Sequence, residues 1–241
     1  MIACLPMYDR PELLCATDAL WASISNHLRN FGIKVPNRLT RSPNYEDFWE
    51  SPDLIFGMTC GQPYRDRLHG RVFLIGTFDY ALPNCPPGYY QSHIIVRKGD
   101  SREKISDLHG AKFAYNSVNS ESGYCCVLRL HENLKSFCGD LIETGAHDYS
   151  IIKVFEGSAD FAAIDAVTWR YFKRSNPEIA SKIKIIQSTD PVPGLPLITY
   201  KKKFVTNITK AVELALIGSP EIKNALQIKE FVKIPPDHYI Q

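Results

Sequence analysis

The chain lacks an excess of charge of either sign. Its 28 Lys and Arg stand against 26 Asp and Glu over 241 residues, a formal net charge of +2. No basic field therefore marks nucleic acid or an anionic membrane as its main partner. It also lacks any apolar run approaching the ~18–20 residues that a membrane-spanning helix needs, so membrane insertion is not expected. Low-complexity tracts and internal repeats are missing. With 44% hydrophobic and 11% aromatic residues, that excludes a disordered chain and a solenoid. Cysteine occurs seven times, at 4, 15, 60, 85, 125, 126 and 138. No two are spaced CxxC and none pairs with histidine at zinc-finger spacing, so no metal and no cofactor is expected. An odd set of scattered thiols fits a reducing compartment. The opening Met1–Asp9 has no basic region followed by an apolar stretch, so it is not read as a signal peptide. As it stands the sequence reads as cytoplasmic, and as periplasmic if a leader was removed.

What is present is an alternation of short apolar strands and amphipathic helices. A strand over Ile2–Met7 is followed by a helix that Asp9 caps and Pro11 opens, with Leu14, Trp21, Ile24, Leu28 and Phe31 on one face and Gly32 ending it. Strands are expected over 53–58, 71–78, 92–97, 112–115, 160–164, 183–187 and 197–200. Helices are expected after Gly61, through Leu108, through Val127, Leu130 and Leu134, through Ile151, Ile152 and Phe155, after Asp165, over 208–217, and over 220–226 with Ser219 as cap. Strands alternating with helices imply α/β units around a parallel or mixed sheet. The segments 88–98 and 188–197 look like connections between lobes. Two crossings make the first lobe discontinuous, 1–91 plus 193–241, with 92–192 forming the second.

In such sheets ligands lie beyond the carboxyl ends of strands, where helix N-termini point inward. The strand-to-helix stretches are Tyr8-Asp9, Cys60-Gly61-Gln62-Pro63-Tyr64, Ser120-Glu121-Ser122-Gly123, Gly145-Ala146-His147-Asp148 and Asp165. Backbone N–H groups and serine hydroxyls there suit an anion, and Gly123 removes a Cβ from its path.

The order Ser120-x-Ser122-Gly123, Gly145-x-His147-Asp148 and Gly157-x-Ala159-Asp160-x-Ala162-Ala163-x-Asp165 resembles the phosphonate/phosphite-binding components of ABC transporters. Tyr90-x-Ser92 and Pro193-Gly194-Leu195-Pro196 are similar to that family too. The likeness is densest over 88–200. Leu5-Pro6-Met7-Tyr8 and Thr59-Cys60-Gly61-x-Pro63-Tyr64 resemble a short, leaderless bacterial branch of it.

The resemblance implies an α/β, two-lobed type 2 periplasmic-binding fold, each lobe a mixed sheet flanked by helices. It also implies a cleft that closes on a small anionic or zwitterionic ligand without turnover, and an ABC permease as possible partner. By the same resemblance Ser120 and Ser122 hold the ligand's head group, and His147 donates a further hydrogen bond. Asp165 accepts from a protonated oxygen or an ammonium, and Tyr8 and Tyr90 are aromatic contacts. Cys60 and Tyr64 complete the expected set from the first lobe. Glu121 stands where the family usually has Thr, and a carboxylate there repels a dianion unless it turns outward or pairs with a cation.

Two other readings stay open. Cys60, at a strand end and helix start, is placed as a nucleophile would be, with His147 as its base. Alternatively the chain is a regulatory or interaction module with a degenerate cleft. Trp21, Trp169 and vicinal Cys125-Cys126 read as core, and Lys201-Lys202-Lys203 as a solvated turn.

Overall fold

A computed structural model describes residues 1–131 and 133–240. Its strands in chain order are β1 (Ile2–Cys4), β2 (Leu54–Met58), β3 (Phe73–Asp79), β4 (Tyr89–Tyr90), β5 (Ser92–Arg97), β6 (Lys112–Tyr115), β7 (Asp140–Glu143), β8 (Phe161–Asp165), β9 (Ile183–Ser188), β10 (Val192–Pro193), β11 (Leu197–Thr199) and β12 (Glu230–Val232). The chain divides into two compact units, Met1–Tyr89 with Pro193–Gln241 and Tyr90–Val192. Each is a mixed sheet flanked by helices, the two-lobed α/β fold that the alternation of strands and helices implies.

The first unit's sheet runs β1-β2-β11-β3-β12. β1 and β2 are parallel, while β11 and β12 run antiparallel to β3. β2 is buried along its whole length, which is why Leu54-Ile55-Phe56-Gly57-Met58 reads as an unbroken apolar run instead of an alternating one. The helix Leu14–Asn30 buries Leu20, Trp21, Ile24 and Leu28, and Trp21 stacks on Phe56 of β2 with ring centroids 5.9 Å apart.

Two expectations fail at this helix. Asp9 caps nothing: Arg41 takes its carboxylate through Nε at 2.5 Å and Nη2 at 3.1 Å, and Arg10 precedes the 3-10 turn Pro11–Leu13 instead. Leu14 is 36% exposed while Leu13, at 6%, takes the core place. Near the other end of the chain Ser219 precedes the helix Pro220–Ala225 but makes no side-chain capping bond.

The second unit's sheet runs β7-β6-β8-β5-β9. β6 lies parallel to β7 and β8, and β5 antiparallel to β8 and β9. β8 is fully buried, with Phe161 stacked on Phe113 at 4.7 Å. The helices His147–Glu156 and Ala166–Ser175 follow β7 and β8.

The continuous helix expected through Val127, Leu130 and Leu134 is two short ones, Cys126–Leu130 and Leu134–Phe137. His131 and Asn133 are extended, and the Asn133 side chain accepts from Ser136 N at 3.3 Å to start the second. Glu132 lies outside the described residues. Leu130, 44% exposed, therefore leaves the face on which Val127 and Leu134 are buried. Phe155 is likewise 39% exposed, where a core position was expected.

Candidate functional site

The topology of the second unit decides where its polar residues gather. β7, β6 and β8 run in one direction side by side, so their carboxyl ends share one edge of the sheet. β5 starts at that edge, since Ser92 pairs with Asp165, and β9 ends there beside His93. Tyr90, Ser120, Glu121, Ser122, His147 and Asp165 all lie in the turns along it.

After β6 the chain passes through Asn116–Asn119 into a π-helical turn, Glu121–Cys125. Ser120 caps that turn, its Oγ accepting from Gly123 N at 3.0 Å. Ser122 Oγ lies 2.9 Å from His147 Nε2, joining the first turns of two helices. Burial pulls the imidazole down to about 4, against a smaller opposing effect from the Ala163 carbonyl, so the ring is neutral near pH 7. A neutral ring carries one proton. With that proton on Nε2, the ring donates to Ser122 and the serine hydroxyl keeps its own hydrogen for another acceptor. The helix His147–Glu156 also begins at this edge.

Gly123 serves its own chain. A Cβ there would stand 1.8 Å from Asn116 Oδ1 and 3.1 Å from His147 Cε1. The expectation that Gly123 clears a path for ligand is corrected: the space is filled by Asn116 and His147. Asn116 Oδ1 is buried with no hydrogen-bond partner.

Glu121 is 1% exposed and its carboxylate is paired with Arg129, which is about half exposed. The repulsion expected of Glu121 is thus met by pairing with a cation, and the side chain is not turned to solvent. Arg129 was missed because its partner is eight positions away across an irregular turn.

Asp165 is 3% exposed, and its Oδ1 accepts from Val167 N at 2.7 Å and Thr168 N at 2.8 Å. It is the N-cap of Ala166–Ser175, and a negative charge there opposes the helix dipole. Replacing Asp165 by Ala is expected to cost about 1–2 kcal/mol, read as a lower urea midpoint. Asp165→Asn, which still caps, should stay near wild type, and equal losses in both would show that the charge, not the cap, stabilises the helix. Tyr90, 2% exposed, ends β4 two positions before Ser92, the first residue of β5.

In the first unit β1 and β2 are parallel, so Tyr8 and Cys60 also follow strand ends on one edge. Tyr8 sets its ring edge-on to Tyr80 at 5.4 Å. Cys60 is partly exposed before the short helix Gly61–Pro63. Tyr64 is corrected: at 2% exposure its ring packs on Tyr239 at 5.2 Å within the core around Trp49 and Leu68. It is a packing residue, so its expected ligand contact is withdrawn.

The family described as ABC transporter, phosphonate, periplasmic substrate-binding protein matches residues 72–239. The chain belongs to that family. Its role is solute binding, and the family works with ABC transporters. No curated protein matches the sequence. Among solved structures, PhnD1 from Prochlorococcus marinus in complex with methylphosphonate is 18% identical at a TM-score of 0.74, over 99% of this chain and 94% of that one. XAC2383 from Xanthomonas citri, bound to ATP, is 14% identical at a TM-score of 0.74, over 99% of this chain and 92% of that one. A binding component of an ABC phosphonate transporter from Pseudomonas aeruginosa is 15% identical at 0.72, over 99% and 82%. At these identities the likeness shows the fold of this phosphonate-binding family member. Among the described residues no helix is long and apolar enough to cross a membrane.

Proposed function

We propose that this protein binds a small phosphonate-like oxyanion or a zwitterion at the edge where β6, β7 and β8 end, and releases it unchanged. The observation that carries this reading is the Ser122–His147 pair, which joins two helix starts with a neutral, partly buried imidazole. Ser120, Ser122 and His147 supply hydrogen bonds, Asp165 supplies negative charge for a protonated oxygen or an ammonium, and Tyr90 supplies an apolar wall. Tyr8 and Cys60 are proposed as contacts from the first unit's own sheet edge. PhnD1, with methylphosphonate, supports the ligand class. An ABC permease is the proposed partner, and the family's periplasmic setting the proposed compartment.

The test is thermal unfolding with methylphosphonate, phosphite, phosphate, an aminoalkylphosphonate and amino acids. A ligand at about a hundred times its Kd stabilises the native state by about 2.7 kcal/mol, so at least one compound should raise Tm by several degrees. A panel that moves Tm nowhere sinks the reading and leaves the module with a degenerate site. Alkylation of Cys60 far ahead of the other thiols would favour the nucleophile alternative instead.

A further inference from the structure

We infer that the first unit carries a ligand site of its own, an apolar pocket lined by β3, the helix Val205–Gly218 and the segment after β12, which takes a medium-chain aliphatic carboxylate. Its residues all belong to that unit, and the oxyanion reading above has no part in it.

The pocket has a volume of about 440 Å³, within the range of roughly 300–1,000 Å³ in which small-molecule sites fall. Leu74 and Ile75 of β3, Val205 of the helix, and Ile234 and Pro235 beyond β12 wall it with aliphatic carbon, against which methylenes leave water favourably. Thr206 and Thr209 of the helix line it as well. A buried helical threonine can return its hydroxyl to the carbonyl four positions back, as Thr17 does to Leu13 at 3.0 Å. Thr209 is 6% exposed and makes no such bond, and among the described residues its hydroxyl has no other partner. Its oxygen is not sealed from solvent, so it opens on the pocket as a free donor. Lys233 lines the pocket too, its ammonium 4.0 Å from Glu213. Glu213 lies one turn beyond Thr209 on the same helix face, which brings that ammonium to the Thr209 end. Lys202 and Lys203 stand before the helix, over the rings of Phe73 and Phe204, while Glu213 and Asp237 are exposed to water. Lys210 lies over Phe31, and Lys229 is taken by Glu230 and Asp79. The helix has no side-chain cap and no acid in its first turn, and its start favours negative charge. The free hydroxyl, Lys233 and the helix start together select a carboxylate, and the aliphatic walls select its tail.

Octanoate is the probe, titrated calorimetrically into the full chain, with octanol and octylammonium as controls of the head group. Wild type should bind octanoate with a submillimolar Kd, octanol about fivefold more weakly, and octylammonium more weakly still. Hexanoate should also lose about fivefold, because a buried methylene is worth up to about fourfold and an open pocket buries only part of each. Thr209→Val keeps the side chain's shape and should weaken octanoate about tenfold, the scale of a hydrogen bond to a charged group. Thr209→Ser, which keeps the hydroxyl, should stay near wild type. Lys233→Gln should weaken octanoate about threefold and leave octanol unchanged. Should Thr209→Val fail to fold, Lys233→Gln still decides the matter, since that side chain is 67% exposed. Wild type that takes up no octanoate at millimolar concentration overturns the inference. So does octylammonium bound as tightly as octanoate, and so does octanoate binding that neither Thr209→Val nor Lys233→Gln changes. The stabilisation by methylphosphonate tested above should be the same in these variants as in wild type, so the two readings stand or fall separately.

Discussion

Replacing Gly123 by Ala is expected to lower stability by about 1–3 kcal/mol, the range for overpacking a filled interior, and to remove ligand-induced stabilisation with it. The new methyl would lie 1.8 Å from Asn116 Oδ1, 2.8 Å from its Cγ and 3.1 Å from His147 Cε1, so both side chains must shift. Asn116 is the easier to move, because its side-chain oxygen has no partner to lose. His147 is not, since moving it breaks the 2.9 Å contact with Ser122. A second substitution separates the two effects. Asn116→Ala removes an unpaired buried acceptor, a change that costs little, and in combination with Gly123→Ala it should restore most of the lost stability. Gly99→Ala is the control, with nothing within 4 Å of its added methyl. If urea midpoints place Gly123→Ala beside Gly99→Ala, and ligand still raises its Tm, the packing described around Asn116 is wrong.

The same turn shows how far sequence reasoning reaches. β5 and β6 were legible residue for residue, because Ser92-His93-Ile94-Ile95-Val96-Arg97 and Lys112-Phe113-Ala114-Tyr115 are short apolar runs bounded by polar turns. The strand-end turns carrying Ser120, His147 and Asp165 were legible for the same reason: each follows such a run and opens a helix. What periodicity does not carry is partnership. Asp9 has the residue type and position of a cap, yet a guanidinium 32 positions away claims its carboxylate. Ser122 and His147 are 25 positions apart and meet only because β6 and β7 are parallel neighbours. Glu121 and Arg129 face each other across a π-helical turn, which shifts the angular positions that a 3.6-residue period assigns. Tyr64 follows a strand end just as Cys60 does, and only the packing of Tyr239 against it turns it into core.

Lowering the pH from about 6.5 to about 4 is expected to destabilise the protein progressively, through two partly buried histidines. Burial brings His147 down to about 4, and burial with Lys173 nearby brings His93 to about 4. In the unfolded chain both rings titrate near 6.5. Between those values the unfolded state binds protons that the native state refuses, so stability falls as pH falls; it is fully present above about 6.5 and the loss is complete below about 4. A fully desolvated ring accounts for about 3 kcal/mol over that interval, and water at the partly exposed edges of these residues reduces it. Asp100, held at about 2 by its hydrogen bonds to Arg102, loses its contribution only at lower pH, so it does not confuse the window. Urea midpoints taken across it should fall with a slope near two protons, and His147→Gln should bring that slope to about one. A midpoint constant from pH 6.5 to 4 would mean that the imidazole of His147 is open to water.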